Sequence, residues 1–214
     1  KSKKVNNIVI ATTGSRQDND IINFCKKYNY NYFIGSENDV LSRYYFCAKE
    51  FKADVIIRLT ADCPLIDHNI IDDVISLFYT NNVDYASNTV PFESSNFPDG
   101  SDVEVFSMEA LIRAHNDVNN IIDREHVTFY FWKYGNDFKL AQLSQKNDWS
   151  KYRITIDYPE DYEVIKFLIF ELKKNDCEGT LNQIIKILIK YPEIFSLNSK
   201  YYYGIGWEGN NEVN

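Results

Sequence analysis

Residues 55–64 read Val55-Ile56-Ile57-Arg58-Leu59-Thr60-Ala61-Asp62-Cys63-Pro64. The first five form a short, β-branched, mainly apolar run that ends before a proline, the pattern of a buried strand rather than a helix. Asp62 falls just beyond the carboxyl end of that strand, and Pro64 fixes the turn behind it. Open α/β sheets collect ligands in the crevice outside the carboxyl ends of their strands. A carboxylate there is placed to hold Mg²⁺ against nucleotide phosphates, because Mg²⁺ takes one or two protein carboxylates and completes its octahedron with phosphate and water oxygens. The plainer reading is an Asx-turn or loop carboxylate, and position alone favours it.

Moving outward, strands and helices alternate on both sides. Asn7–Ala11 is a second apolar run, ending in Thr12-Thr13-Gly14-Ser15, and Asp20–Lys27 carries a helical stripe. Tyr32–Ile34 reads as a strand closed by Gly35, and from Asp39 to Phe51 apolar positions recur at helical spacing. Asn69–Tyr79 is the next helix. The alternation predicts an α/β fold, a mostly parallel, mixed sheet flanked by helices. Further along, Pro91–Gly100 reads as a loop and Asp102–Phe106 as a half-buried strand. Helices are expected over Met108–Val118, Asp123–Tyr134, Pro159–Lys174 and Leu181–Lys190, and strands over Phe138–Leu143 and Arg153–Ile156. The expected organisation is one domain over residues 1–198, with an insert near 94–134 and a tail over 199–214.

Composition excludes several classes. Asp and Glu number 31 against 23 Lys and Arg, a formal charge of −8, which argues against nucleic acid as a partner, since that needs clustered positive charge. No apolar run approaches the ~20 residues of a membrane span. Cys25, Cys47, Cys63 and Cys177 form no C-x-x-C pair, so neither a zinc knuckle nor a redox motif is indicated. Buried free thiols in a reducing cytoplasm are expected.

Two other stretches can carry chemistry. In Thr155-Ile156-Asp157-Tyr158-Pro159-Glu160-Asp161, proline is placed as the first helical residue, so Tyr158 is the N-cap and Asp157 lies one place outside. Asp157 is thereby free to share a metal with Asp62, while Glu160 and Asp161 suit the helix dipole. Asp99-Gly100-Ser101-Asp102-Val103-Glu104 and Asp123-Arg124-Glu125-His126-Val127 offer mixed charge and hydrogen-bonding groups suited to a polyhydroxylated substrate. The plainer reading of the second is a charged helix start.

Five ordered blocks now stand together: residues 35–44 (GSENDVLSRY), 58–67 (RLTADCPLID), 99–106 (DGSDVEVF), 124–128 (REHVT) and 155–161 (TIDYPED). Together they resemble the cytidylyltransferases of the acylneuraminate and CMP-Kdo synthetase type, and among these the spore coat polysaccharide proteins. The resemblance implies a nucleotide-diphospho-sugar transferase fold of the glycosyltransferase-A kind, with CTP and a sugar acid or phosphorylated sugar as substrates. It implies Mg²⁺ on Asp62 and Asp157, with Asp39 and Arg43 beside the nucleotide. Asp99, Asp102, Glu104, Arg124, Glu125 and His126 would then face the acceptor sugar, and a homodimer would form through the insert. A sugar transferase of the same fold and a catalytically inactive nucleotide- or sugar-binding domain are the alternatives.

The family pattern also departs from this sequence. It opens with a strand and a loop of the kind Q-A-R-x-x-S-x-R-L-P-G-K, whereas Lys1-Ser2-Lys3-Lys4 corresponds to the end of the helix that follows. An N-terminally shortened form of a longer enzyme, binding CTP poorly, is the expectation. An unpaired strand edge should then lie beside Ile8-Val9-Ile10 or Val55-Ile56-Ile57. Tyr158 replaces the usual threonine, removing a capping hydroxyl that contributes about 1 kcal/mol in comparable helices.

Overall fold

The computed structural model describes residues 1–133 and 137–201. In chain order the elements are β1 (Val9–Thr13), α1 (Asn19–Tyr28), β2 (Asn31–Gly35), α2 (Val40–Glu50), β3 (Val55–Arg58), α3 (His68–Asn81), β4 (Tyr85–Ser87), β5 (Glu104–Ser107), α4 (Met108–Asp117), α5 (Ile121–His126), α6 (Phe129–Trp132), β6 (Leu140–Gln142), α7 (Pro159–Lys174), α8 (Leu181–Lys190) and α9 (Pro192–Asn198).

The strands form two sheets. β1 and β2 pair in parallel, and a second sheet runs β3-β5-β4-β6. The expected mixed α/β sheet is present, but β5 lies antiparallel to both β3 and β4, and only β4–β6 is parallel in that sheet. Among the described residues β1 pairs only with β2 and β3 only with β5. The edges expected to stand unpaired beside residues 8–10 and 55–57 are therefore both there, and Ile8 is exposed next to one of them.

Two-residue alternation builds the core on both faces of the larger sheet. Val55, Ile57, Ala86 and Val105 point to one face, where Val74, Ile75 and Phe78 of α3 meet Val164, Leu168, Ile184 and Leu188 of α7 and α8. Ile56, Tyr85 and Phe106 point to the other, against Leu41 and Ala48 of α2, Leu111 and Ala114 of α4, and Phe131 of α6. Asp67 caps α3 through the amide of Asn69 at 2.8 Å, and its second oxygen accepts from the amide of Leu181 at 2.8 Å, tying the start of α8 to the start of α3. Both helices thus begin from one buried carboxylate.

Three expectations need correction. Residues 153–156 form no strand: Ile154 donates its amide to Asp99 at 2.8 Å and Ile156 donates to Asp62 at 2.9 Å, two different neighbours, so no ladder develops beyond a single bridge from Asp99 to Arg153. The helix expected over Asp123–Tyr134 is broken into α5 and α6, and its last residue, Tyr134, lies outside the described residues. The break is Val127, at φ 62° and ψ −56°, where the amide of Thr128 donates to the carbonyl of His126 at 2.6 Å. That is a γ-turn of the strained kind. Finally, α9 was not foreseen, although Pro192 at its first position is an ordinary start signal. Most of the tail expected from residue 199 also lies outside the described residues.

Candidate active site

A cleft of about 400 Å³ opens at the carboxyl end of β3. Four segments supply its polar lining, and Val90, after β4, adds an apolar side. The end of β3 and the following loop supply Arg58, Thr60, Asp62 and Cys63; the loop before β5 supplies Asp99 and Asp102, and β5 itself begins with Glu104. A wall of His126, Thr128, Phe129 and Trp132 comes from the broken helix, and Arg153, Thr155, Asp157 and Tyr158 come from the segment before α7.

Asp62 and Asp157 are brought together through the backbone. The Asp62 carbonyl accepts from the Ile156 amide at 2.9 Å and from the Thr155 hydroxyl at 3.3 Å, which places residue 157 beside residue 62 at the cleft. The Asp62 side chain is exposed, and among the described residues its carboxylate receives only the Cys63 thiol, at 3.4 Å. Asp157 is 47% exposed and pairs through one oxygen with Arg153. No group of three His, Cys, Asp or Glu side chains forms a metal cluster among the described residues. Two hard carboxylates lining one cleft fit Mg²⁺, which relies on substrate phosphate and water for its other positions. They fit zinc poorly, because zinc calls for three or four protein ligands.

Arg153 is almost fully buried and holds three carboxylates, those of Asp99, Asp157 and Asp161. Burial acts against its charge, but these acidic partners more than offset that and raise its pKa further. Asp99 is pushed up to about 7, first by burial and next by Asp102, with Arg153 opposing. Asp102 turns back on its own loop, accepting from the Thr89 hydroxyl at 2.7 Å and the Gly100 amide at 2.8 Å. Burial, then the Asp102 and Asp62 carboxylates, raise the Cys63 thiol far above the usual range, which keeps it protonated and unreactive.

Arg58 and Glu104 face each other across the β3–β5 ladder and pair directly. Glu104 is buried, and its other oxygen accepts from the hydroxyls of Tyr85 and Thr128, each at 2.6 Å. Glu104 therefore reaches the cleft as the anchor of Arg58 and Thr128 rather than as an unoccupied acceptor for substrate. The Nε of Arg58 is buried without a hydrogen-bond partner among the described residues. Glu104→Gln, which leaves Arg58 without its counter-charge, should cost about 3 kcal/mol of stability. Urea unfolding measures this, and a loss under 1 kcal/mol would contradict the pairing.

His126 stacks on Phe129 at 4.3 Å, and burial is the leading cause that lowers its pKa below the usual imidazole value.

Four residues expected at the site lie elsewhere. Asp39 caps α2, accepting from the Ser42 amide at 2.9 Å. Arg124 donates to Asp39 at 2.9 Å, to the Ser42 hydroxyl at 2.8 Å and to the Val118 carbonyl at 2.6 Å, lacing α2 to α5. Burial pushes the Asp39 carboxyl up, but Arg124 and Ser42 outweigh it and hold the pKa below the usual value. Arg43 donates to the Ser36 carbonyl at 2.6 Å and packs over Gly35. Glu125 is exposed and outside the cleft lining. Conversely, Arg58 and Arg153 were read only as strand residues. Their signal was available: a charge inside an apolar run requires a buried partner.

Residues 1–190 match a family model described as cytidylyltransferase. An uncharacterized protein of Methanocaldococcus jannaschii is 36% identical over 203 residues, covering 93% of this chain and 79% of that protein. The spore coat polysaccharide biosynthesis protein SpsF of Bacillus subtilis is 30% identical over 195 residues, covering 89% and 78%. The structure of a cytidylyltransferase from Leptospira borgpetersenii superposes with a TM-score of 0.82 at 33% identity, covering 91% of this chain and 80% of the other.

Proposed function

The chain belongs to the cytidylyltransferase family, and on that premise we propose that it transfers CMP from CTP to a sugar acid or related sugar in the building of a polysaccharide. An acceptor oxygen attacks the α-phosphorus, the bond to the bridging oxygen of the β-phosphate breaks, and pyrophosphate leaves. What carries the reading is the juxtaposition of Asp62 and Asp157 on one cleft through the Ile156 amide and the Asp62 carbonyl.

In this reading Asp62 and Asp157 hold Mg²⁺. Bound there, Mg²⁺ supplies positive charge to the phosphate oxygens as they become more negative. The protein's own work is positioning, since phosphoryl transfer asks for little covalent chemistry from side chains. Asp99, the wall of His126 and Phe129, and the Thr128 hydroxyl shape the acceptor end. Asp102 and Glu104 hold that end in place through their own hydrogen bonds. Asp39, Arg43 and Arg124 are engaged within the protein, and with Glu125 they lie outside the cleft lining.

Incubation with CTP, Mg²⁺ and a panel of sugar acids and related sugars should release pyrophosphate in step with CMP-sugar formation. Cleavage of nucleotide sugars without use of CTP would replace the proposal with glycosyl transfer, and absence of turnover across the panel would reject it.

A further inference from the structure

Asp157 is steadied from a part of the chain beyond the family-matched residues 1–190. Helix α9 ends in Asn198, 1% exposed, whose side-chain amide donates to Asp161 Oδ1 at 2.8 Å and to the Arg153 carbonyl at 3.2 Å. Asp161 is wholly buried. Its Oδ1 also accepts from Arg153 Nε at 3.0 Å, and its Oδ2 accepts from Arg153 Nη2 at 3.1 Å and from the amides of Asp157 and Tyr158 at 3.0 Å each. With five donors on a group that has roughly four lone-pair sites, Asp161 has no capacity left for a metal or substrate. Arg153, fixed by Asp161 on two of its nitrogens, then grips Asp157 Oδ2 with Nη2.

We propose that Asn198 is a positioning residue for Asp157, acting through Asp161 and Arg153. The guanidinium is planar and turns as a unit. Loss of the Asn198 amide leaves Asp161 Oδ1 with a single donor and the Arg153 carbonyl without this one, so the carboxylate and the fork can rotate together. Asp157 moves with them. The same segment is held from outside by Tyr201, stacked on Tyr158 at 3.9 Å, and by Lys200 on Glu160 at 2.6 Å. Both fasten the chain just after α9 to the start of α7; the Lys200 contact leaves the Asp161–Arg153 pair untouched, whereas the Tyr201 ring also lies 5.7 Å from the Arg153 guanidinium.

This inference rests on Asp157 holding the divalent cation, and its test keeps the two apart. Mn²⁺ binding to the full chain is followed by electron paramagnetic resonance, with Lys200→Ala as the variant expected to bind like the unaltered chain. Asn198→Ala should weaken Mn²⁺ about tenfold, the lower end of what loss of an outer-shell partner costs, and raise the Mg²⁺ activation constant in parallel. A lowered thermal midpoint with Mn²⁺ affinity within twofold of the unaltered chain would reduce Asn198 to a structural residue and overturn the proposal. Should Asn198→Ala fail to fold, Arg153→Lys keeps the charge but loses the fork, and it too should weaken Mn²⁺; unaltered affinity overturns the idea equally. If the unaltered chain binds no Mn²⁺, the cation reading of Asp62 and Asp157 fails first and takes this one with it.

Discussion

Asp62→Asn should lower CTP-dependent pyrophosphate release at least about a hundredfold, while the thermal midpoint shifts by no more than about 2 °C. The two halves of this expectation have separate physical origins. What Asp62 contributes to the fold is its backbone carbonyl, which receives Ile156 and Thr155 and is unchanged by the substitution. Its side chain is exposed and takes one weak thiol contact, so little stability depends on it. Asparagine keeps the shape and removes the charge that a hard cation requires. Turnover near the level of the unaltered protein would remove Asp62 from the mechanism. A large drop in stability would show that the side chain has a structural duty its contacts do not suggest.

The second large effect concerns Gly100. It has φ +93°, and a Cβ there would lie 2.3 Å from the amide nitrogen of Thr155, 2.4 Å from the carbonyl carbon of Ile154 and 2.7 Å from its oxygen. All three are backbone atoms, so no rotamer relieves the overlap. The loop must instead draw away from residues 153–156, which breaks the 2.8 Å bond from the Ile154 amide to the Asp99 carbonyl and disturbs the grip of Arg153 on Asp99. The positive φ adds its own penalty for any side chain. Gly100→Ala should therefore cost more than about 4 kcal/mol, in the rare upper range for single substitutions, and activity should fall with it because Asp157 sits at the end of the displaced segment. Denaturant titration decides this, and a loss below about 1 kcal/mol would mean the close approach is wrong.

Much of this was legible in the sequence. Helices α7 and α8 have the bounds that Pro159 and the apolar spacing predict, and the three cysteines nearest the N-terminus are buried free thiols. Asp62 and Asp157 both line the cleft; each stands out in the sequence because it follows a short apolar run, and Asp157 also because Tyr158 takes the N-cap place. Position after an apolar run is local information, and a sequence carries it well even where, as at 153–156, the run forms no strand. The pairing of Arg124 with Asp39, 85 residues apart, and that of Arg153 with Asp99, 54 apart, are not local. Motif spacing shows such residues as a group but says nothing of which ones face each other and which face the cleft. The antiparallel seat of β5 was hidden for the same reason: an alternating pattern marks a strand without marking its direction.

The γ-turn at Val127 bears on how the cleft meets a ligand. A side chain branched at Cβ rarely tolerates that backbone, and the conformation persists because the isopropyl group is fully enclosed. His126 and Thr128, on either side of it, take their aim from a steric lock rather than from a run of helix. Under the proposed function, an acceptor entering here would encounter a mould that has already set, so its affinity would not be reduced by the cost of ordering that wall. Selection among sugars would then fall to shape: those that match the mould would be held, and those that need it to yield would be turned away.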